Sequence, residues 1–393
     1  MIDIMGLPRL VRERWDMTKR DLRMVSLLLQ GKHPAPLIPL VQSDVVRLAL
    51  QPRALRVREV IHETPDAVTL VLTDPSGGSL RCEPGQFFTV LVSIAGKVER
   101  RAYSASSYVA DGSVLTLTCK RMNGGRVSTY LHEYAHPGMM LQVLGPSGNF
   151  TVTPQSGNRR HLVLIGGGSG ITPLHCIIQA VLAIEKESSI TLLYGNRSRS
   201  DIIFADDLAR LTTEHPKRFT LHHVLVEPSI NFPSGIGILD QSTIERELSH
   251  LTQDSGTTHY YLCGPLGLME AARAVLLRRG VTSQRIHEER FATPQLSQSE
   301  LPRTTQSVEI ERHGVVQTVQ VAAEETVLDA GLRQGIDLPF SCTMGGCGAC
   351  KAKLVSGDVL LPEPNCLTAE ERAQGQVLLC VSHPRRKSRV VVS

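Results

Sequence analysis

The chain has 393 residues, a net charge of +4 and 20% charged side chains. At ~100–200 residues per domain this length calls for two to four domains, each able to bury a core. The charge is too small and too evenly spread for a nucleic-acid surface, the nine cysteines form no disulfide framework, and no apolar run near the start approaches the ~20 residues of a membrane span. A reduced cytoplasmic setting is the expectation.

Residues 1–51 read as an N-terminal extension. Pro8 opens a helix that Gly31, Pro34 and Pro36 close. Val11, Trp15, Leu22, Val25 and Leu29 fall on one face, with Arg9, Arg12, Lys19, Arg20 and Arg23 opposite. Such an amphipathic helix either packs on the body of the protein or lies peripherally on a membrane surface or a partner.

Residues 52–157 hold short strand-like runs, such as Val68–Leu72, Phe87–Val92, Val114–Thr118 and Leu141–Leu144, broken at Pro84-Gly85, Asp111-Gly112 and Pro146-Ser147-Gly148. This predicts a small antiparallel β-barrel. Within it, Arg101-Ala102-Tyr103-Ser104 is followed by Gly124-Gly125-Arg126-Val127-Ser128-Thr129. A flavin needs a planar partner, hydrogen-bonding groups for its ring edge, and cations or N–H groups for its phosphates. Tyr103 and Ser104 meet the first two needs; Arg101, Arg126 and the backbone of Gly125, Val127 and Ser128 meet the third.

Residues 158–292 change texture: apolar strands alternate with helical stretches, a βαβ pattern with a parallel sheet. The strand His161–Ile165 runs into Gly166-Gly167-Gly168-Ser169-Gly170-Ile171-Thr172-Pro173, a glycine loop at a helix start suited to a pyrophosphate. After the next strand, Tyr194-Gly195-Asn196-Arg197-Ser198-Arg199 offers two arginines where a dinucleotide domain often has an acid. Arg197 and Arg199 therefore favour the 2′-phosphate of NADPH over NADH, with solvent-facing arginines as the alternative.

Residues 293–305, rich in Pro, Ser, Thr and Gln, read as a linker. Residues 306–393 open with a hairpin turning at His313-Gly314, and a helix near Thr326–Arg333 leads to Cys342, Cys347, Cys350 and the distant Cys380. The spacing C-x4-C-x2-C…C is the ligand pattern of a plant-type [2Fe–2S] cluster, and the small residues around it let backbone N–H groups reach the sulfurs.

On Arg101-Ala102-Tyr103-Ser104, the glycine loop and Cys263-Gly264-Pro265, the chain resembles the ferredoxin–NADP reductase family, with a ferredoxin domain appended. The resemblance implies a multidomain fold: an antiparallel β-barrel for FAD, an α/β parallel-sheet domain for NADPH or NADH, and an α+β β-grasp [2Fe–2S] domain, behind a helical extension. It implies that Arg101 contacts the flavin pyrophosphate, Tyr103 and Ser104 the isoalloxazine, and Thr118, Cys119 and Lys120 the flavin through the next strand. Thr172 and Cys263, with Gly264 and Pro265, would lie at the nicotinamide. Glu289 would orient that ring, and Phe291 would cover the flavin. Ser104, Thr172 and Cys263 are the expected catalytic set.

The domain order resembles reductase components of oxygenases, such as those for phenylacetyl-CoA epoxidation and ketosteroid hydroxylation, and of acyl-CoA desaturases. Electrons would pass from NAD(P)H to FAD, to [2Fe–2S], and on to an oxygenase or desaturase partner. A reductase for a hybrid-cluster or nitrogen-oxide enzyme, a non-catalytic redox sensor, and FMN in place of FAD remain open alternatives.

Overall fold

The computed structural model describes residues 52–230, 232–251, 257–291, 300–363 and 365–392. The helix expected within residues 1–51 and most of the expected linker lie outside them.

The first sheet comprises β1 (Arg53–Thr64), β2 (Ala67–Thr73), β3 (Phe87–Ile94), β4 (Lys97–Ser104), β5 (Leu115–Lys120) and β6 (Met140–Ser147). Its order is β4-β3-β6-β1-β2-β5, with antiparallel neighbours. An antiparallel bridge from Ala105, just past the end of β4, to Leu117 within β5 closes the barrel. Period-two alternation builds it: Leu55 and Val57 of β1 point into the core while Arg56 and Arg58 face solvent. The expected break at Pro146-Ser147 falls inside β6, which pairs Ser147 with Phe87. Helix α1 (Arg126–Tyr134) packs Val127 and Leu131 into the same core.

The second sheet comprises β7 (His161–Gly167), β8 (Ser189–Asn196), β9 (Phe219–Leu225), β10 (Gly235–Ile236), β11 (His259–Cys263) and β12 (Ile286–Glu289), in the order β10-β9-β8-β7-β11-β12. All its pairings are parallel. Leu162 to Gly167 are buried without alternation, because helices cover both faces. Those helices are α2 (Ile171–Ile184), α3 (Ala205–Glu214), α4 (Gln241–Leu251) and α5 (Leu266–Arg278). The chain steps from β7 to β8 on one side and later adds β11 on the other. That puts a switch point, the usual ligand crevice, at the carboxyl end of β7.

These two sheets share a core: Ala67, Phe150 and Val152 belong to the same buried cluster as Ile171, Leu174 and Ile178 of α2. A polar seam runs beside it. Buried His175 meets the Ser106 carbonyl oxygen through Nδ1 and the Asp207 carboxylate through Nε2, each at 2.6 Å, and stacks on Phe204.

The third unit holds β13 (Gln306–Arg312), β14 (Val315–Val321), α6 (Val327–Arg333), β15 (Lys351–Ser356), β16 (Val359–Leu360), α7 (Ala369–Ala373), β17 (Gln376–Leu378), β18 (His383–Pro384) and β19 (Ser388–Val392). Its main sheet runs β14-β13-β19-β15-β17, with β16 and β18 as a separate pair. The expected hairpin turns at His313 and Gly314, both at positive φ. The Thr326 hydroxyl caps α6 by accepting the Asp329 N–H. Its core, from Val308 to Val392, draws on this unit alone. All nine cysteines are free thiols, and no helix among the described residues is long and apolar enough to cross a membrane.

One buried charge braces the nucleotide sheet. Glu185, fully buried, receives Arg160 at 2.5 Å and Asn158 at 2.8 Å. Burial alone would raise its carboxyl pKa, but hydrogen bonds from Arg160, Asn158 and Ser188 outweigh it and lower the value. Glu185→Ala should cost about 3 kcal/mol by stranding Arg160, measured by denaturant unfolding. Because folding lowers this pKa, the stabilisation is complete above the unfolded-state value near ~4.3 and drains away as pH falls through the folded-state value. The variant's deficit should therefore shrink in acid.

Candidate functional site

Three groups of predicted residues converge where the carboxyl ends of β7 and β11 face the end of β4. In the barrel, Ser104 is buried and its hydroxyl donates to the Glu289 carboxylate at 2.9 Å. That bond joins β4 to β12 across 185 residues of sequence. Burial pushes the Glu289 carboxyl up to about 8; the Ser104 hydrogen bond opposes this, and the charge of Cys342 adds to it. Next to them, the Cys119 thiol donates to the Tyr103 hydroxyl at 3.3 Å, and burial pushes Cys119 up to about 12.

Arg101 and Arg126 both turn toward Glu99, at 4.0 and 3.3 Å, with 34% and 49% of their side chains exposed. They stand beside the start of α1, where Gly125 precedes the helix and no acidic residue occupies the first turn. Ser128 is buried and braces this turn, accepting the Met122 N–H at 3.1 Å and donating to the Gly125 carbonyl at 3.2 Å. Two exposed guanidinium groups at a helix start carrying free N–H groups fit a dinucleotide phosphate.

The nucleotide loop is shaped by close backbone approach. After β7, Gly168–Gly170 form a single 3-10 turn and α2 begins at Ile171. A Cβ on Gly170 would lie 2.0 Å from the Cys263 carbonyl oxygen, and one on Gly167 would lie 2.9 Å from Pro265 and Leu268. The glycines thus let the loop nest against Cys263-Gly264-Pro265. Cys263 is fully buried, and its thiol is raised well above its usual value by burial and then by the Glu289 charge. Thr172 is also buried, donating to the Ser169 carbonyl at 3.0 Å, and Pro173 fills the first turn of α2, where a missing N–H costs nothing. The Tyr194 hydroxyl holds the loop from the next strand, donating to the Gly168 carbonyl at 2.9 Å.

Some predicted residues face elsewhere. Thr118 turns its hydroxyl into a buried polar row, bonded to Thr69 at 2.7 Å and Ser106 at 2.8 Å. The Lys120 ammonium reaches across to the glycine loop, 3.7 Å from where a Gly168 Cβ would stand. Arg197 is gripped by Asp201 through two hydrogen bonds, at 3.1 and 2.9 Å. Arg199 instead lies over the Phe232 ring, 5.2 Å from its centroid. Phe291 is 43% exposed at the edge of the described residues. In the sequence Asp201 reads only as the first acid after the two arginines, and Phe232 does not stand out. The i, i+4 spacing of Arg197 and Asp201 was a usable signal; Phe232 carried none.

The four C-terminal cysteines gather into one sulfur network. The Cys342 thiol is drawn down by hydrogen bonds from Cys347 and Cys380, and then by the N–H groups of Met344 and Gly346. Cys350 bonds to Cys380. The Cys342 N–H points at the Cys347 sulfur at 3.5 Å, and the Met344 N–H at the Cys342 sulfur at 3.4 Å. Gly348, at φ 73°, lets the loop curl between Cys347 and Cys350. Among the described residues no three His, Cys, Asp or Glu side chains are gathered as a single-ion site. Three thiols on a loop that offers N–H groups to the sulfurs of Cys342 and Cys347, with Cys380 brought in from the 3-10 turn Leu379–Val381, fit a two-iron cluster.

These features define a flavoprotein that couples a nicotinamide nucleotide to an iron–sulfur centre. Residues 54–152 match the oxidoreductase FAD-binding domain, 164–274 the oxidoreductase NAD-binding domain, and 310–385 the 2Fe-2S iron-sulfur cluster binding domain. The chain is 33% identical to one of the subunits of the 1,2-phenylacetyl-CoA epoxidase of Escherichia coli K12, covering 86% of this chain and 96% of that one. It is 34% identical to the 3-ketosteroid-9-alpha-monooxygenase ferredoxin reductase component of Mycobacterium tuberculosis, covering 85% and 94%. Phthalate dioxygenase reductase shares the fold, with a TM-score of 0.61 at 24% identity over 87% of this chain and 98% of that one. The chain belongs to the family of flavin- and [2Fe–2S]-containing reductase components of oxygenases. It is an NAD(P)H oxidoreductase that passes electrons from NAD(P)H through FAD to [2Fe–2S] and on to an oxygenase partner.

Replacing Gly170 with alanine forces a methyl group into the Cys263 carbonyl. Reduction of the flavin by NAD(P)H should slow at least tenfold, while dithionite still bleaches both flavin and cluster. Anaerobic stopped-flow absorbance compares the two reductants.

Proposed function

We propose that residues 52–157, 158–292 and 306–393 act as the flavin, nucleotide and cluster modules, and that their reacting ends meet at Ser104 and Glu289. The supporting observation is the 2.9 Å bond from Ser104 to Glu289, whose carboxyl also feels Cys342. When bound, the flavin supplies the two-electron to one-electron conversion that a hydride donor and a one-electron cluster require. The protein itself positions and shields. Arg101 and Arg126 exchange Glu99 for the flavin phosphates, and Tyr103 packs on the ring. Ser104 faces the flavin N5 edge, and Glu289 behind it holds or accepts a proton through the serine hydroxyl. The elevated Glu289 value suits that work near neutral pH.

In the nucleotide module, the backbone from Gly167 to Gly170 and the start of α2 receive the pyrophosphate, with Lys120 adding its charge from the barrel. Thr172, Pro173, Cys263, Gly264 and Pro265 wall the nicotinamide end, and Phe291 borders the flavin. Cys342, Cys347, Cys350 and Cys380 hold the cluster. The acceptor is an oxygen-activating metalloenzyme, an oxygenase or an acyl desaturase.

Cys347→Ser should abolish electron delivery to cytochrome c while leaving NAD(P)H–ferricyanide activity within about twofold, since the flavin alone supports the latter. Equal loss of both activities would defeat the reading of separate modules.

The donor's 2′ position is read mainly by Arg199, because Asp201 already occupies the Arg197 guanidinium. Arg199→Ala should raise KM for NADPH about tenfold relative to NADH, the worth of one charge-assisted hydrogen bond. Arg197→Ala should shift that ratio less. Steady-state kinetics with both nucleotides measures this, and an unchanged ratio in both variants would remove the 2′-phosphate reading.

A further inference from the structure

The cluster module has its own core, so something must orient it toward the flavin. Among the described residues one ion pair spans the two: the Arg100 guanidinium on β4 lies 3.5 Å from the Asp329 carboxylate on α6. Each partner is tied to a reacting end. Arg100 is four residues from Ser104 along β4, about 13 Å of extended strand. Asp329 is fixed on its side by the helix cap, where its other carboxylate oxygen accepts the Thr326 hydroxyl at 2.8 Å. Helix α6 in turn packs tightly on the approach to the cluster loop. A Cβ on Gly331 would lie 2.4 Å from Leu338, four residues before Cys342.

We propose that Arg100 and Asp329 are a positioning pair that docks the [2Fe–2S] module with its cysteine loop at the Ser104–Glu289 end of the flavin site. The inference rests on the flavin-to-cluster path. It adds how the cluster is presented to the flavin and why it can leave again. The two side chains are 34% and 43% exposed. Exposed pairs of this kind orient partners without locking them, and salt screens them. One hydride delivers two electrons and the cluster accepts one, so each NAD(P)H reduces two oxidised clusters in turn and yields NAD(P)+ and a proton. A contact that forms and releases twice per hydride must be weak.

The test uses full-length holoprotein, with flavin and iron content verified, mixed anaerobically with NADPH or NADH. Flavin bleaching is followed optically and cluster reduction by freeze-quench electron paramagnetic resonance. Arg100→Glu and Asp329→Arg should each slow cluster reduction about tenfold, with Arg100→Gln in between. The double variant, with the charges exchanged, should recover to within about threefold of the parent. NAD(P)H–ferricyanide activity should stay within about twofold throughout. At an ionic strength near ~1 M the parent's advantage over the single variants should largely vanish. Single variants that reduce the cluster at the parental rate, or a double variant as slow as the singles, overturn the docking pair. A parent protein whose flavin bleaches while its cluster stays oxidised overturns the electron path itself, before any variant is compared.

Discussion

The hydrogen bond from Ser104 to Glu289 is the constraint on which the arrangement of this protein turns. It is made between the last residue of a barrel strand and the last residue of a parallel-sheet strand. It can form only if the barrel closes, the nucleotide sheet adds β12 beside β11, and the two pack in one register. The shared core around Phe150, Ile171 and Leu174, together with the seam from Ser106 through His175 to Asp207, enforces that register. Burial at this junction pushes the Glu289 carboxyl up to about 8, so the bond joins a serine hydroxyl to a carboxyl that titrates near neutrality.

The modules are joined in two different ways, and the difference suits their work. The barrel and the nucleotide sheet interdigitate apolar side chains, so separating them would expose buried surface at a cost of ~25 cal/mol for each Å². The third module has a buried core of its own, and among the described residues a partly exposed ion pair links it to the barrel. Hydride transfer tolerates little misplacement and is served by the rigid junction. A carrier that must also face a second protein is served by the loose one.

Much of this was legible in the sequence wherever a function needs contiguous residues. The cysteine spacing, the Arg101-to-Ser104 strand and the glycine loop are short runs whose geometry is set by their own backbone. The sheet types followed from the rhythm of the segments: short runs broken by turn residues in the barrel, and apolar runs alternating with helical stretches in the nucleotide domain. Pairings made across sequence were not legible. Nothing local says that Glu289 bonds to Ser104, or that Lys120 crosses from the barrel to Gly168. Arg197 reads as a free cation until Asp201 is seen to grip it, and nothing local says that the Thr118 hydroxyl joins a buried row with Thr69 and Ser106. Residue type and spacing report what a group can do; partner identity comes from the fold.

The order β14-β13-β19-β15-β17 places the last strand of the cluster module in the middle of its sheet. Strand β19 pairs with β13 on one side and β15 on the other, and Val390 is fully buried between them. Three of the four cysteines are therefore synthesised well before the strand that completes the scaffold around them. Without residues 388–392 the sheet falls into two halves, β14-β13 and β15-β17, so the scaffold around the cysteines depends on this strand being in place. Losing this strand would remove the sheet's centre instead of shortening its edge.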